Sequence, residues 1–231
     1  MRLSIVIPTL NEERQLRRLL PPAVAAADEI WVSDGGSEDR TVEVAESLGA
    51  RVVRGPTGRG AQLNRGAARA AGEALLFLHA DTLLPTSAPD LVRRAIGSGA
   101  AGGGFRLRFD TGHPGMRFLA VSINLRTRIT RCPLGDQAQF VRREVFAALG
   151  GYRDWPILED LDFARRLKRQ GRTVLIGDPV LTSPRRYLRR GIVRSLATNW
   201  LIFALYFAGL PPRRLARFYR PLEERGAQQR T

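Results

Sequence analysis

Cysteine is nearly absent from this 231-residue chain, where Cys132 stands alone. An internal disulfide and a cysteine-built zinc cage are therefore excluded. Histidine is almost as scarce, with only His79 and His113, so a histidine-rich metal site is excluded too. Lysine occurs once, at Lys168, although 37 basic residues face 22 acidic ones and the formal net charge is +15. No run of about eighteen consecutive apolar residues occurs, which argues against a membrane-spanning helix. The opening stretch Met1-Arg2-Leu3-Ser4-Ile5-Val6-Ile7-Pro8 is too short and too strand-like for a secretory signal, so a cytoplasmic protein is expected. No internal repeat is visible, and no Pro/Gly/Ser-rich linker divides the chain in two.

What is present points to one α/β domain. Hydrophobic residues make up 44% and charged residues 26%, a balance that suits a globular body of this length. The first half alternates strand and helix signals, as parallel strands with crossover helices do. Leu3–Pro8 reads as a buried strand, after which Asn11 is placed to cap a helix. Glu29–Asp34 is a second strand, followed by a helix to about Leu48 capped by Ser37 or Asp39. Arg51–Arg54 is a short third strand. Gly58–Ala71 is an alanine-rich helix with a glycine-rich start, and Ala74–His79 is a central strand. Beyond it, Gly102–Phe109 alternates like an antiparallel or edge strand. Helices are expected around Met116–Thr130 and Leu158–Gln170, a turn at Pro133–Asp136, and a last strand at Arg172–Ile176. The tail beyond Pro221 is expected to fray.

Ligands of open parallel sheets bind at the carboxyl ends of the strands. Three such ends carry polar clusters here: Pro8-Thr9-Leu10-Asn11-Glu12, Asp34-Gly35-Gly36-Ser37 and His79-Ala80-Asp81-Thr82. Any one of them could be ordinary helix capping; three together point to a site. Asp34 can accept hydrogen bonds from a nucleobase imide or a ribose hydroxyl. The Gly58-Arg59-Gly60-Ala61-Gln62-Leu63-Asn64 segment brings helix amides and a guanidinium to bear on phosphate. It lacks the Gly-Lys-Ser/Thr ending of a P-loop, and no Gly-x-Gly-x-x-Gly follows the first strand. Asp81 is suited to hold Mg²⁺ or Mn²⁺ against a diphosphate. Glu159-Asp160 precede an amphipathic helix and read either as acids complementing its dipole or as a general base. Asp162 is expected to pair with Arg165 or Arg166.

These motifs resemble those of the family 2 glycosyltransferases. The resemblance rests on Pro8, Asn11 and Glu12; on Asp34, Gly36, Ser37, Asp39 and Thr41, with one added glycine; on Gly58–Asn64; on His79-Ala80-Asp81; and on Glu159-Asp160 before Ala164-Arg165-Arg166-Leu167. It covers about residues 3–180. It implies a GT-A fold: a Rossmann-like α/β domain with a mixed, mostly parallel sheet flanked by helices. It also implies inverting transfer of a sugar from a UDP- or GDP-sugar to an acceptor hydroxyl. Asp34 would then contact the nucleobase, Asp81 the metal, and Asp160 would be the base with Glu159 assisting. Gly135-Asp136-Gln137 resembles the loop beneath donor sugar and acceptor. The first acid of the family's Asp-x-Asp is replaced by His79, which leaves Asp81 as the assured carboxylate. The wording Phe77-Leu78-His79-Ala80-Asp81-Thr82 is similar to a small bacterial branch labelled arsenosugar-biosynthesis or selenium-associated glycosyltransferases.

The GT-A domain is expected over residues 1–184, with residues 185–231 as a basic, partly apolar helical extension. Arg185 and Arg186 are placed to reach the donor diphosphate. The apolar run Asn199–Leu210 is too short to span a bilayer. It reads as a helix packed on the domain or on a second copy in a homodimer, or as one lying at an anionic membrane surface on the inner face. A nucleic-acid partner is not expected, because the arginines are not interleaved with exposed aromatics. A nucleotidyltransferase would carry a glycine-rich basic loop where Asn11-Glu12-Glu13 stand. A catalytically degenerate nucleotide-sugar binder is the reading that the His79 replacement favours.

Overall fold

Buried apolar stretches, cut at their carboxyl ends by polar turns, dictate the sheet. The computed structural model describes residues 1–218; the expected frayed tail lies outside them. The first half runs β1 (Leu3–Thr9), α1 (Glu13–Ala26), β2 (Glu29–Asp34), α2 (Thr41–Ser47), β3 (Arg51–Arg54), α3 (Arg59–Arg69) and β4 (Ala74–Phe77). The second runs β5 (Thr82–Leu83), α4 (Ala88–Gly97), β6 (Gly102–Phe109), α5 (Pro114–Thr130), β7 (Phe140–Arg142), α6 (Arg143–Ala148), α7 (Glu159–Gln170) and β8 (Thr173–Thr182). Three helices follow: α8 (Arg185–Arg190), α9 (Ile192–Phe207) and α10 (Pro212–Leu215).

One eight-stranded sheet has the order β3-β2-β1-β4-β7-β6-β8-β5. The four strands of the first half are parallel, β7 runs against both β4 and β6, and β6 and β8 are parallel again. β1 is buried along nearly its whole length because both of its faces are covered. Leu3, Ile5 and Ile7 pack with Leu16, Leu19 and Leu20 of α1 and with Val92 and Ile96 of α4. Val6 on the opposite face packs with Leu63 of α3 and with Phe163 and Leu167 of α7. The chain steps from β1 outward to β2 and β3, then returns to place β4 on the other side of β1. That reversal makes the carboxyl ends of β1 and β4 the topological switch point, where ligands of such sheets bind.

Several expectations are corrected. β6 is not an edge strand; it lies inside the sheet between β7 and β8. The central strand stops at Phe77; the Leu78 amide still donates to the Val6 carbonyl of β1, and His79 opens the turn that follows. The last strand continues to Thr182 rather than ending near Ile176. Asn11 does not cap the helix that follows it. Its backbone is left-handed (φ 53°), and its Oδ1 accepts from the amides of Glu38 and Asp39 in the next loop. Ser37 does not cap α2; its hydroxyl accepts from the amide of Asn11, while Asp39 accepts from that of Thr41. The loops after β1 and β2 are thus laced together, with Thr41 Oγ1 also taking the amide of Glu12 and Asp39 that of Glu13.

Helices α8–α10, in the described part of residues 185–231, pack against the elements that precede them. Tyr187 of α8 and Ile192 and Leu196 of α9 join Leu107, Met116 and Leu119 in one apolar cluster. Ile202 of α9 and Leu215 of α10 cover Ile157 at the foot of α7.

Candidate functional site

The loop after β2 is organised around a carboxylate. Asp34 is buried and accepts from Thr9 Oγ1, Ser37 Oγ and the amides of Gly36 and Ser37. Burial alone would raise its pKa, but these hydrogen bonds, led by those from Ser37, outweigh it and hold the carboxyl below its ordinary value. Gly36 has φ +97°, which lets the turn close back onto that carboxylate. Pro8 lies opposite Ser33, where β1 and β2 run side by side to the pair Thr9 and Asp34.

Two amides of α3 hold the framework. Gln62 is buried; its Nε2 donates to the carbonyls of Thr9 and Ser33, at the ends of β1 and β2, and its Oε1 accepts from the amide of Gly58. Asn64 exchanges two hydrogen bonds with the backbone of Tyr152, both at 2.8 Å. Arg59, at the start of the same helix, instead reaches across to α7. Its Nη1 lies 3.1 Å from Oε1 of the buried Glu159. Burial raises the Glu159 carboxyl above its ordinary value, with Arg59 opposing and Asp160 reinforcing.

The turn after β4 carries the other charged groups. Ala80 is buried in the core. Arg185 of α8 bridges the segments that follow β1 and β4: its Nη2 donates to Glu12 Oε1 at 2.7 Å, and its Nε lies 3.8 Å from Asp81 Oδ2. The His79 imidazole is lowered to about 4, first by desolvation and then by Arg59, so it is neutral at physiological pH. Gly135 lies against it: a Cβ there would stand 2.7 Å from His79 Nε2. The amide of Gly135 donates to Asp160 Oδ2 at 2.8 Å, and that of Leu161 to Oδ1 at 2.7 Å. Burial raises the neighbouring Asp136 carboxyl; the charges of Asp160 and Asp81 raise it further, while Arg126 and Arg186 oppose them. Asp136 Oδ1 is buried without a hydrogen-bond partner.

His79, Asp81, Gly135, Asp136, Asp160, Arg59, Glu159, Arg185 and Arg186 thus form one connected group of contacts and charge interactions. Gln137 is not among them. It is fully buried, accepting from Thr127 Oγ1 and donating to the Phe105 carbonyl. Asp162 pairs with Arg166 at 2.7 Å. Among the described residues, no three His, Cys, Asp or Glu side chains form a set that could hold a metal by themselves. A surface cavity of about 510 Å³ beside Arg108, Asp110 and Arg117 contains none of these residues.

Two positions escaped the sequence. Gln139 donates to the carbonyls of Pro133 and Asp160, and accepts from the buried Tyr152 hydroxyl at 2.8 Å, tying the 133–136 turn to the start of α7. Arg65 donates to the Asp34 carbonyl. Their partners are mostly backbone atoms, which leave no trace in residue identity.

With this geometry in hand, the chain can be compared with known proteins. The profile described as "Glycosyl transferase family 2" matches residues 4–149. No curated protein sequence matches the chain. Residues 1–349 of S. aureus TarS superpose with a TM-score of 0.63 at 16% identity, over 94% of this chain and 69% of that one. The complex of that protein with UDP-GlcNAc gives 0.63 at 17% identity, over 79% and 58%. Glucosyl-3-phosphoglycerate synthase from Mycobacterium tuberculosis, with Mn²⁺, UDP and glucosyl-3-phosphoglycerate, gives 0.55 at 22% identity, over 77% and 70%. The architecture shared with these structures is the GT-A fold.

Proposed function

The chain belongs to glycosyl transferase family 2, and we propose that it transfers a sugar from a nucleotide-diphosphate donor to an acceptor hydroxyl with inversion at the anomeric carbon. The observation that carries this reading is the convergence of Asp160, Asp81, Asp136 and His79 on one another, with Arg59, Arg185 and Arg186 beside them. UDP is the favoured nucleotide, because the similar structures of TarS and glucosyl-3-phosphoglycerate synthase contain UDP or UDP-GlcNAc.

In this reading the loop of Asp34, Gly36 and Ser37 receives the nucleoside, with Pro8 and Asn11 behind it. Glu12 keeps Arg185 in place, and Arg59, Arg185 and Arg186 neutralise the diphosphate. Gln62 and Asn64 hold the strand ends and α3 in position. Asp160, oriented by two amides at the positive end of α7, takes the proton of the acceptor hydroxyl. The acceptor oxygen then bonds to the anomeric carbon as the bond to the diphosphate oxygen breaks, and the nucleoside diphosphate leaves. Glu159 assists by fixing Arg59. His79 meets the ribose or donor sugar as a neutral imidazole. Gly135 and Asp136 lie under the sugar, with Gln137 holding their turn from below.

The residues fit a divalent cation only together with the donor. Asp81 gives one carboxylate and Asp136 an orphaned buried oxygen, and the diphosphate would supply further oxygens, as suits Mg²⁺ or Mn²⁺. Such an ion would supply positive charge against the departing diphosphate. Membership of the arsenosugar-biosynthesis or selenium-associated branch belongs to this proposal on the wording of Phe77–Thr82 alone.

The test is a thermal-shift series with UDP, GDP and their sugars, with and without Mn²⁺, because a ligand of the folded state raises the melting temperature. A shift by one nucleotide that grows with metal supports the reading. No shift with any of them overturns it. A shift without turnover toward any acceptor would favour a degenerate binder, which His79 in place of an acid already suggests.

A further inference from the structure

The charged residues of the chain are unevenly placed. No acid stands between Asp110 and Asp136, nor between Asp178 and Glu223. These two acid-free stretches fold into neighbouring helices, α5 and α8–α9. Ile123 of α5 shares a cluster with Ile192 and Leu196 of α9, and the Arg126 guanidinium lies 5.9 Å from the Phe203 ring centroid.

Each helix is apolar on both of its faces. α5 buries Met116, Leu119 and Ala120 against β6, as an amphipathic helix should. Its opposite side carries Phe118, Val121, Leu125 and Ile129, which recur at helical spacing and are 71%, 61%, 55% and 71% exposed. On α9, Ile202, Leu205 and Tyr206 pack on the domain. Val193, Trp200 and Phe207 fall seven residues apart along another line and are 79%, 68% and 63% exposed. Domain packing and an outward apolar face therefore coexist on one helix. Arg117 and Arg128 flank the α5 stripe, and Arg190 and Arg194 stand near the start of α9. Scattered apolar residues on a surface need no explanation, but stripes on two adjacent helices within acid-free sequence do.

We propose that the exposed faces of α5 and α9 together form a docking surface for an anionic phospholipid bilayer. The large apolar side chains enter the boundary between headgroups and acyl chains, Trp200 lies at headgroup level, and the arginines meet lipid phosphates. The protein would lie on the membrane without crossing it; among the described residues no helix is long and apolar enough to cross. Charge complementarity selects this occupant. A second copy of the chain would bring the same arginines against one another with no acid in either stretch to pair them. The surface is separate from the donor site and does not depend on the reading given for it.

The experiment is flotation of the full chain with vesicles of equal parts phosphatidylcholine and phosphatidylglycerol, and with phosphatidylcholine alone, at low and physiological salt. The wild type should float with the anionic vesicles only, and less as salt rises. The double substitution Val121→Glu/Leu125→Glu on α5, and Trp200→Glu on α9, should each lower the partition coefficient about ten-fold or more. Both variants should keep the thermal shift given by UDP, which separates a failure here from a failure of the donor site. Should either variant fold poorly, Trp200→Phe in the same vesicles keeps the test open. Brominated lipid should quench the wild-type fluorescence, and this variant should lose most of that quenching. Absence of binding by the wild type, or full binding by the α5 variant, overturns the proposal. So does a lipid-free dimer, seen by sedimentation velocity, that the α5 substitutions dissolve.

Discussion

Gly135 and Asp160 meet through a single hydrogen bond, from the glycine amide to carboxylate Oδ2 at 2.8 Å. The contact is possible because Gly135 has no side chain. A Cβ there would stand 2.7 Å from His79 Nε2 and 3.3 Å from that same carboxylate oxygen. Gly135→Ala should therefore displace the imidazole and misplace the carboxylate, lowering kcat/KM by about ten-fold or more while the melting temperature changes little. Steady-state kinetics and a thermal melt on one preparation decide it. Unchanged kcat/KM would show that the approach has no catalytic consequence.

If Asp160 is the base proposed above, Asp160→Asn keeps the shape of the side chain and removes that base. Transfer should fall by about 100-fold or more, with UDP-sugar affinity within a few-fold of wild type, because the lost proton transfer belongs to the acceptor. Donor titration beside single-turnover kinetics separates the two effects.

Arg185 stands between Glu12 and Asp81. If it neutralises the diphosphate, Arg185→Ala should weaken UDP binding by about ten-fold, a typical loss for one charge-assisted contact. The uridine nucleoside, which has no phosphate, should bind both proteins alike. Calorimetry with the two ligands reads the difference.

Glu29 tests the framework rather than the site. It is buried, accepts from Ser4 Oγ and the amide of Ala71, and pairs with Arg2 and Arg51. Burial would raise its carboxyl, but the hydrogen bonds and arginines win and hold it below its ordinary value near 4.5. The folded state then binds this proton less readily than the unfolded state. Its contribution to stability is present above about pH 4.5 and is lost as the pH falls through the lower folded value. Glu29→Gln should cost roughly 2–4 kcal/mol at pH 7. The gap to wild type should narrow below the carboxylate range, as urea melts across pH would show.

Beneath Asp160, Phe163 stacks on Tyr152 with centroids 4.4 Å apart and meets Phe77 edge-on. Truncating so large a buried ring leaves a cavity. Phe163→Ala should cost about 3–5 kcal/mol in denaturant unfolding.

The parallel half of the sheet was legible because its physics is local. β1 and β4 are runs of apolar residues ended by polar turns, and the three turns fall together once the strands align. The mixed half was less so. β7 has three residues and β5 two, too few for any periodicity to register, and both are held by their neighbours in the sheet. Within the site, Asp34, Asp81 and Asp160 stand out as acids at strand and helix ends. Gln139 did not, because its partners are carbonyls 6 and 21 residues away and a tyrosine hydroxyl. Asn11 was misread as a cap for its own helix for a related reason. Residue type announces that it will bind backbone amides, but only the fold decides whose.

The lacing of the loops after β1 and β2 bears on how such a protein can be re-engineered. Asn11 needs the amides of Glu38 and Asp39, while Ser37, Asp39 and Thr41 each need an amide from residues 11–13. Neither loop is a self-sufficient module. Grafting one of them alone from a relative would leave donors and acceptors on the other without mates, so substitutions across the pair should be strongly non-additive. If these loops receive the nucleoside as proposed, a swap of nucleotide preference would have to move both as a single cassette.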